Sequence, residues 1–172
     1  MDGLTKLVPI AITILPYWDG YLFLKRRNPP YEGLWSLVGG KIALGEHIQA
    51  AAIREVKEET GATEVRGYEY RGMVSERLVD SHGDLSAHFL IFVGLAIIDD
   101  FKTGHREGDL SLFKKDEIEA ARARFLPSDL EMFKRFLQKS KGPQMHEAEL
   151  LRDDNGYHLV YYRASTNEHR RD

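Results

Sequence analysis

Gly40-Lys41-Ile42-Ala43-Leu44-Gly45-Glu46-His47-Ile48-Gln49-Ala50-Ala51-Ala52-Ile53-Arg54-Glu55-Val56-Lys57-Glu58-Glu59-Thr60-Gly61-Ala62 decides how this chain reads. A loop punctuated by glycines runs into a segment that contains no Gly or Pro from His47 to Thr60. Ile48, Ala52 and Val56 recur every fourth residue, which predicts a helix with one apolar stripe. Gly61 stands where a C′ glycine ends a helix. At roughly 100° per residue, Glu55 and Glu59 lie about 40° apart, and Glu58 lies about 60° to the other side of Glu55. The three acids therefore border the apolar stripe instead of opposing it. Like charges at these spacings repel, and the repulsion grows where carboxylates lose water. Arg54, one position off that face, offsets only part of it. A solvated acidic face paired with Arg54 and Lys57 is the bland alternative. A hard divalent cation, Mg²⁺ or Mn²⁺, would reverse the repulsion, taking oxygen ligands and leaving sites for water and phosphate.

The same residues carry a family resemblance. The segment resembles the box of the Nudix hydrolases, G-x5-E-x7-R-E-U-x-E-E-x-G-U, where U is aliphatic. It matches at Gly40, Glu46, Arg54, Glu55, Val56, Glu58, Glu59 and Gly61. Ala62 departs mildly, since a bulkier aliphatic residue is usual there. The lead-in Trp35-Ser36-Leu37-Val38-Gly39-Gly40 also fits, with Val38 in place of a common proline. The resemblance implies an α/β fold, an α/β/α sandwich around a mixed β-sheet. It also implies metal-dependent hydrolysis of a diphosphate bond in a nucleoside diphosphate linked to another group X. The metal ligands it implies are Glu55, Glu58, Glu59 and the Gly40 carbonyl, with Mg²⁺ as cofactor and Mn²⁺ as substitute. Glu58 is also a candidate to orient or deprotonate the attacking water. Glu46 and Arg54 are expected to shape the loop, with Arg54 also a candidate for direct catalysis. Glu107 and Asp109, in the loop after the long strand, are candidates for a further catalytic acid. Arg26, Arg27 and Lys41 are the candidate phosphate contacts. Tyr17, Trp18 and Tyr31 are weaker candidates for stacking on a base, and Trp35 reads as core.

Composition bounds the rest. The chain has 172 residues, 42% hydrophobic and 30% charged, enough for one domain with a sizeable core. Its net charge of −3 argues against broad binding to nucleic acid or an anionic membrane. The absence of cysteine excludes disulfides, thiolate nucleophiles and zinc–thiolate sites. No signal peptide and no membrane-length apolar run is read, so the expectation is a cytoplasmic protein acting on a small-molecule nucleotide. No P-loop, G-x-S-x-G elbow or H-E-x-x-H pattern is present.

Around the box, Leu4–Leu15, Tyr21–Arg27, Trp35–Val38, Val65–Leu78 and Leu85–Ile98 read as strands, with the last one central. Asp99–Asp109 reads as a polar loop. Asp116–Phe125 reads as a helix, and Ser128 as the N-cap of another running to about Lys139. Asn155-Gly156 marks a hairpin between Glu149–Asp153 and Tyr157–Arg163. The expected division is a catalytic domain over residues 1–142 and a hairpin extension with a frayed tail over 143–172, both within one globular unit. The hairpin is expected to pair with the domain's own sheet or with a second chain, as a homodimer contact or a roof over the pocket.

For the substrate, the proline typical of ADP-ribose enzymes and the tyrosine typical of diadenosine polyphosphate enzymes are both missing after the box, where Glu76-Arg77-Leu78-Val79 stands. The coenzyme A signature is absent too. That leaves a sugar nucleotide or ADP-ribose-like compound, or alternatively cleansing of (d)NTPs. A non-catalytic nucleotide-sensing regulator is the reading of another class, and the complete set of box acids weighs against it.

Overall fold

The computed structural model describes residues 6–105, 108–142 and 144–165. Among them the chain forms β1 (Leu7–Ile14), β2 (Pro16–Tyr17), β3 (Gly20–Arg26), β4 (Trp35–Ser36), β5 (Val38–Lys41), α1 (Ile48–Thr60), β6 (Val65–Asp80), β7 (Leu85–Ile98), β8 (Gly104–His105), β9 (Gly108–Phe113), α2 (Lys115–Ala120), α3 (Pro127–Phe136), β10 (Gln144–Asp153) and β11 (Gly156–Ala164). The main sheet has the order β11-β10-β6-β7-β1-β5. It is mixed, as expected: β1 runs parallel to β7 and β10 parallel to β6, while the other pairs are antiparallel. β7 is interior, consistent with its long apolar run. A smaller sheet joins β2, β3, β9 and β8, with β4 beside β3.

The α1 helix forms where the sequence predicts it. Ala51, Ala52 and Val56 are buried, and the first two pack on Ala11 of β1, where small side chains allow helix and strand to approach closely. Gly61 ends the helix at φ 73° and donates its N–H to the Lys57 carbonyl. Such a φ is cheap only for glycine. The larger core lies on the other side, where Phe23, Phe125 and Phe133 meet edge to face.

Four expectations need correction. The polar loop over 99–109 contains β8 and the start of β9, because Leu110 and Leu112 alternate and pair with β3, a contact distant in sequence. The helix read over 116–125 stops at Ala120, and a 3-10 turn covers Arg122–Arg124. Helix α3 begins at Pro127 with Leu126 as N-cap, since proline's fixed φ suits the first helical position; Ser128 is buried inside the first turn. Trp35–Val38 is not one strand but the junction of β4 and β5, which belong to different sheets.

The C-terminal hairpin pairs with the domain's own sheet. β10 extends β6 over nine residue pairs from Gln144↔Gly72 to Arg152↔Asp80. His146, Ala148 and Leu150 are all buried. The tail beyond Ser165 lies outside the described residues.

Candidate active site

A cavity of about 440 Å³ opens over one face of the main sheet. Glu55, Glu58, Glu59, Gly40 and Lys41 line one end, and Arg26, Tyr31, Glu76 and Asp129 the other. Ile10, Ile12, Phe89 and Ile91 lie between them. Of the candidate residues, Arg27 and Asp109 do not line the cavity. They pair with each other at 2.7 Å on the surface, each side chain more than half exposed. Glu107 lies outside the described residues. Trp35 is buried in the core. Tyr17 packs edge-on against Phe101, and Trp18 is exposed. His88 bonds Ser75 through Nε2 at 2.9 Å.

Arg54 organises the acidic end. Its Nε and Nη2 donate to the two Glu46 carboxylate oxygens at 2.8 Å each, a bidentate pair that ties the loop to the helix. Nη2 also donates to the Lys41 carbonyl at 3.1 Å, and Nη1 to Glu55 at 2.6 Å and Glu58 at 3.2 Å. The guanidinium and the Ala43 N–H hold the Glu46 carboxyl down to about 2. Charge repulsion within α1 is thus relieved further than the sequence alone suggests, because one arginine serves two of the helix glutamates, Glu55 and Glu58, besides Glu46 of the loop.

Glu59 is 2% exposed and accepts the Gly39 N–H at 2.9 Å, so it ties the loop to the helix from beneath. Glu58 points outward, its side chain 57% exposed. Among the described residues no three acidic or histidine side chains already close on a single point. Two observations nevertheless fit a divalent cation. The donor set is all oxygen, as a hard ion prefers. Moreover, a Cβ at Gly40 would sit 2.5 Å from the Glu55 carboxylate carbon, so only glycine leaves this cradle open. Glu55, Glu58, Glu59 and the Gly40 carbonyl would hold the ion.

The two glycines of the loop do different work. A Cβ on Gly39 would lie 2.7 Å from Ile12 Cα and collide with the Ala11 carbonyl, which is backbone that cannot yield. Gly39→Ala is expected to lower the melting temperature by about 5 °C or more. Gly40→Ala meets only a movable side chain. It is expected to melt within about 2 °C of the parent while losing about 100-fold or more in turnover. A thermal melt beside an activity assay separates the two.

The opposite end was missed in the sequence. Glu76 and Asp129 are 2% and 3% exposed. Desolvation pushes the Glu76 carboxyl up to about 8, with the Asp129 charge adding to it and the nearby Ser128 and Tyr31 hydroxyls opposing. Desolvation likewise pushes Asp129 up to about 7, opposed by the Leu37 N–H, which it accepts at 2.7 Å, and by Arg26. A signal was present at both positions. Glu76 falls between Val74 and Leu78 on the inward parity of β6, and Asp129 stands at helical spacing from Leu126 and Phe133, three residues after the one and four before the other.

The sign of the linkage is definite. The fold favours the protonated Glu76, so between the ordinary carboxylate range and about pH 8 the native state holds the extra proton. Stability therefore falls as pH rises through that window. Glu76→Gln, a neutral isostere, is expected to melt within about 2 °C of the parent at pH 5 and about 5 °C above it at pH 8. Parallel melting curves across pH would contradict this.

Tyr31 adjoins the pair in a left-handed conformation, φ 73°. A tyrosine there is strained. It is held by its N–H, which donates to Tyr157 Oη at 3.2 Å, and by edge-on ring contact with Tyr157 at 4.8 Å. The C-terminal hairpin thus braces a cavity wall.

Among known proteins, the NUDIX domain family model matches residues 8–147. The ADP-ribose pyrophosphatase of Methanocaldococcus jannaschii is 48% identical over 40 residues, 23% of this chain and 24% of that protein. The ADP-ribose pyrophosphatase of Saccharomyces cerevisiae is 47% identical over 55 residues, 29% of this chain and 24% of that one. The chain matches about a quarter of the length of these curated relatives. Of solved structures, a MutT protein from Bacillus halodurans is similar at TM-score 0.71 and 26% identity, covering 92% of this chain and 97% of that one. A bifunctional NMN adenylyltransferase/ADP ribose pyrophosphatase from Francisella tularensis, solved with AMP and a manganese ion, shares the fold at TM-score 0.61 and 19% identity, covering 79% and 42%. No helix of the described residues is long and apolar enough to cross a membrane.

Proposed function

The chain belongs to the NUDIX family, and we propose that it is a metal-dependent pyrophosphohydrolase acting on a nucleoside diphosphate linked to X, of the sugar-nucleotide or ADP-ribose type. The observation that carries this reading is the placement of Glu55, Glu58 and Glu59 with Gly40 and Lys41 at one end of a cavity large enough for a nucleotide. The ADP-ribose pyrophosphatase relatives support the X-linked substrate.

Held by Glu55, Glu58, Glu59 and the Gly40 carbonyl, a divalent cation would neutralise phosphate charge and make water more acidic. The chain's own residues do the rest. Glu58, the most exposed of the three acids, is placed to take a proton from an attacking water. Glu55 and Glu59 would supply that cation with fixed carboxylate oxygens, Glu59 held by Gly39 and Glu55 by Arg54. Lys41 meets phosphate charge at the mouth. Arg26, anchored through Nε to the Pro30 carbonyl at 3.2 Å, serves the inner end.

Hydrolysis of (d)NTPs is the second reading, left open because the proline typical of ADP-ribose enzymes is missing after the box. Purified protein with Mg²⁺ or Mn²⁺ should be assayed against ADP-ribose, sugar nucleotides, dinucleoside polyphosphates and (d)NTPs. Release of two phosphate-bearing halves from an X-linked diphosphate supports the first reading. Pyrophosphate released from (d)NTPs alone supports the second. A protein that binds nucleotide yet cleaves none would be the sensing regulator. A homodimer through the exposed edge of β11 belongs to the same proposal, and light scattering showing only monomer would remove it.

A further inference from the structure

A second cavity shares no lining residue with the one that holds the box glutamates. It measures about 150 Å³. Glu69 and Arg71 of β6 line one side, and Lys139, Ser140, Lys141 and Gly142 of the linker between α3 and β10 line the other. We infer that this cavity binds a single phosphate group, free or as a terminal monoester, through the Arg71 guanidinium and the two lysines.

Arg71 carries the argument. The register between β6 and β7 shifts between Tyr70 and Gly72, which leaves Arg71 as the extra residue of a bulge. A bulge re-aims a side chain. Here the side chain is only 11% exposed. Its Nη2 reaches Glu69 at 3.4 Å, a long contact. Its Nε and Nη1 are buried and have no hydrogen-bond partner among the described residues. A guanidinium cannot shed its charge, and its donors stand in a fixed fork. Buried donors left open are costly, and native structures pair nearly all of them. The cavity that Arg71 lines is where an acceptor can enter.

The surroundings select the kind of acceptor. Arg71, Lys139 and Lys141 stand around a single carboxylate, Glu69, in a chain of net charge −3. Glu69 already meets Lys139 Nζ at 3.1 Å, but the two side chains are 40% and 76% exposed, so water screens that pair. Lys141 is exposed and makes no ion pair among the described residues. Ser140 donates its hydroxyl to the Gly142 carbonyl and so folds the linker back on itself. Nothing stands within 4 Å of where a Gly142 Cβ would be, so an oxygen can approach the backbone there. The cavity has the volume of roughly five waters. A phosphate group fits it, whereas a whole nucleotide needs a cavity of several hundred Å³. Phosphate also brings nearly two negative charges to the three cations, and a carboxylate brings only one.

The test is titration of the ¹⁵N-labelled full chain with inorganic phosphate, in metal-free buffer at fixed ionic strength, followed by NMR. The Arg71 Nε–H and the amides of Lys139–Gly142 are expected to shift saturably, with a Kd of about 1 mM or tighter. Acetate at the same ionic strength is expected to leave them unmoved. Arg71→Gln is expected to weaken binding about tenfold or more. The double variant Lys139→Ala with Lys141→Ala removes only exposed side chains, and gives the same readout should Arg71→Gln fail to fold. AMP or ribose 5-phosphate moving the same resonances would support a monoester as the ligand, and phosphate alone moving them would support the free ion. No saturable shift, equal shifts with acetate, or binding that survives both variants would overturn the inference. Shifts confined to the box loop around Lys41 would overturn it too, because phosphate would then bind only in the first cavity. The readout is local to the second cavity, so its outcome does not depend on whether any diphosphate is cleaved.

Discussion

Glu58→Gln and Glu59→Gln are each expected to lower turnover by about 10²- to 10⁴-fold while leaving the fold intact. The size of the effect follows from what glutamine removes. It keeps the shape of glutamate and one acceptor oxygen but has neither the charge a divalent ion needs nor the basicity a proton acceptor needs. The retention of fold follows from the contacts. Glu58 is mostly solvated, and its bond to Arg54 is one of several that Arg54 makes. Glu59 accepts the backbone N–H of Gly39, and an amide oxygen can accept the same bond. Both variants are therefore expected to melt within about 2 °C of the parent in metal-free buffer. Lost activity with a collapsed melt would mean that the acids are structural. Full activity would remove them from the chemistry.

Truncation after Lys141 is the second large effect, and here the expectation is loss of the fold. β10 is an interior strand of the main sheet. Removing it strips the β6 edge and withdraws Ala148 and Leu150 from the core, both fully buried. Truncating a single buried leucine side chain to alanine costs about 2–5 kcal/mol. The whole stability of a domain is about 5–15 kcal/mol. Two strands cannot be removed within that margin. No cooperative unfolding transition should remain by calorimetry or circular dichroism. A truncated chain that melts cooperatively and keeps its activity would show the hairpin to be an appendage. The loss would also reach the cavity, since Tyr157 holds Tyr31 and β10 flanks Glu76.

The acidic half of the site was legible because its information is local. Helix period, glycine positions and acid spacing all fall within one stretch of 23 residues, Gly40–Ala62, and the Asn155-Gly156 turn is local as well. The inner half was not, because Glu76 and Asp129 meet across 53 residues of chain and become neighbours only through the sheet and the placement of α3. A lone acid among inward-facing apolar residues was the trace they left, and it is easily taken for a solvated charge. The same reason hid β9, whose partner β3 lies far back in the chain. Arg27 and Asp109 illustrate the converse: charge and rough position nominated both, yet the strand pairing that brings Lys25 opposite Asp109 sets them against each other on the surface. Arg54 corrected the energetics more than the geometry. The crowding of the glutamates is real, but an internal cation already shares it.

That correction makes occupancy of the acidic end the point on which the account turns. Titration of Mn²⁺ followed by electron paramagnetic resonance, with and without a non-hydrolysable nucleotide, measures it directly. The account predicts that the native chain depletes free Mn²⁺ and that Mg²⁺ competes it off. It also predicts that Glu55→Gln and Glu59→Gln, still folded, lose most of that uptake. Free Mn²⁺ that stays unchanged by the native chain, or uptake that both variants retain in full, would contradict it.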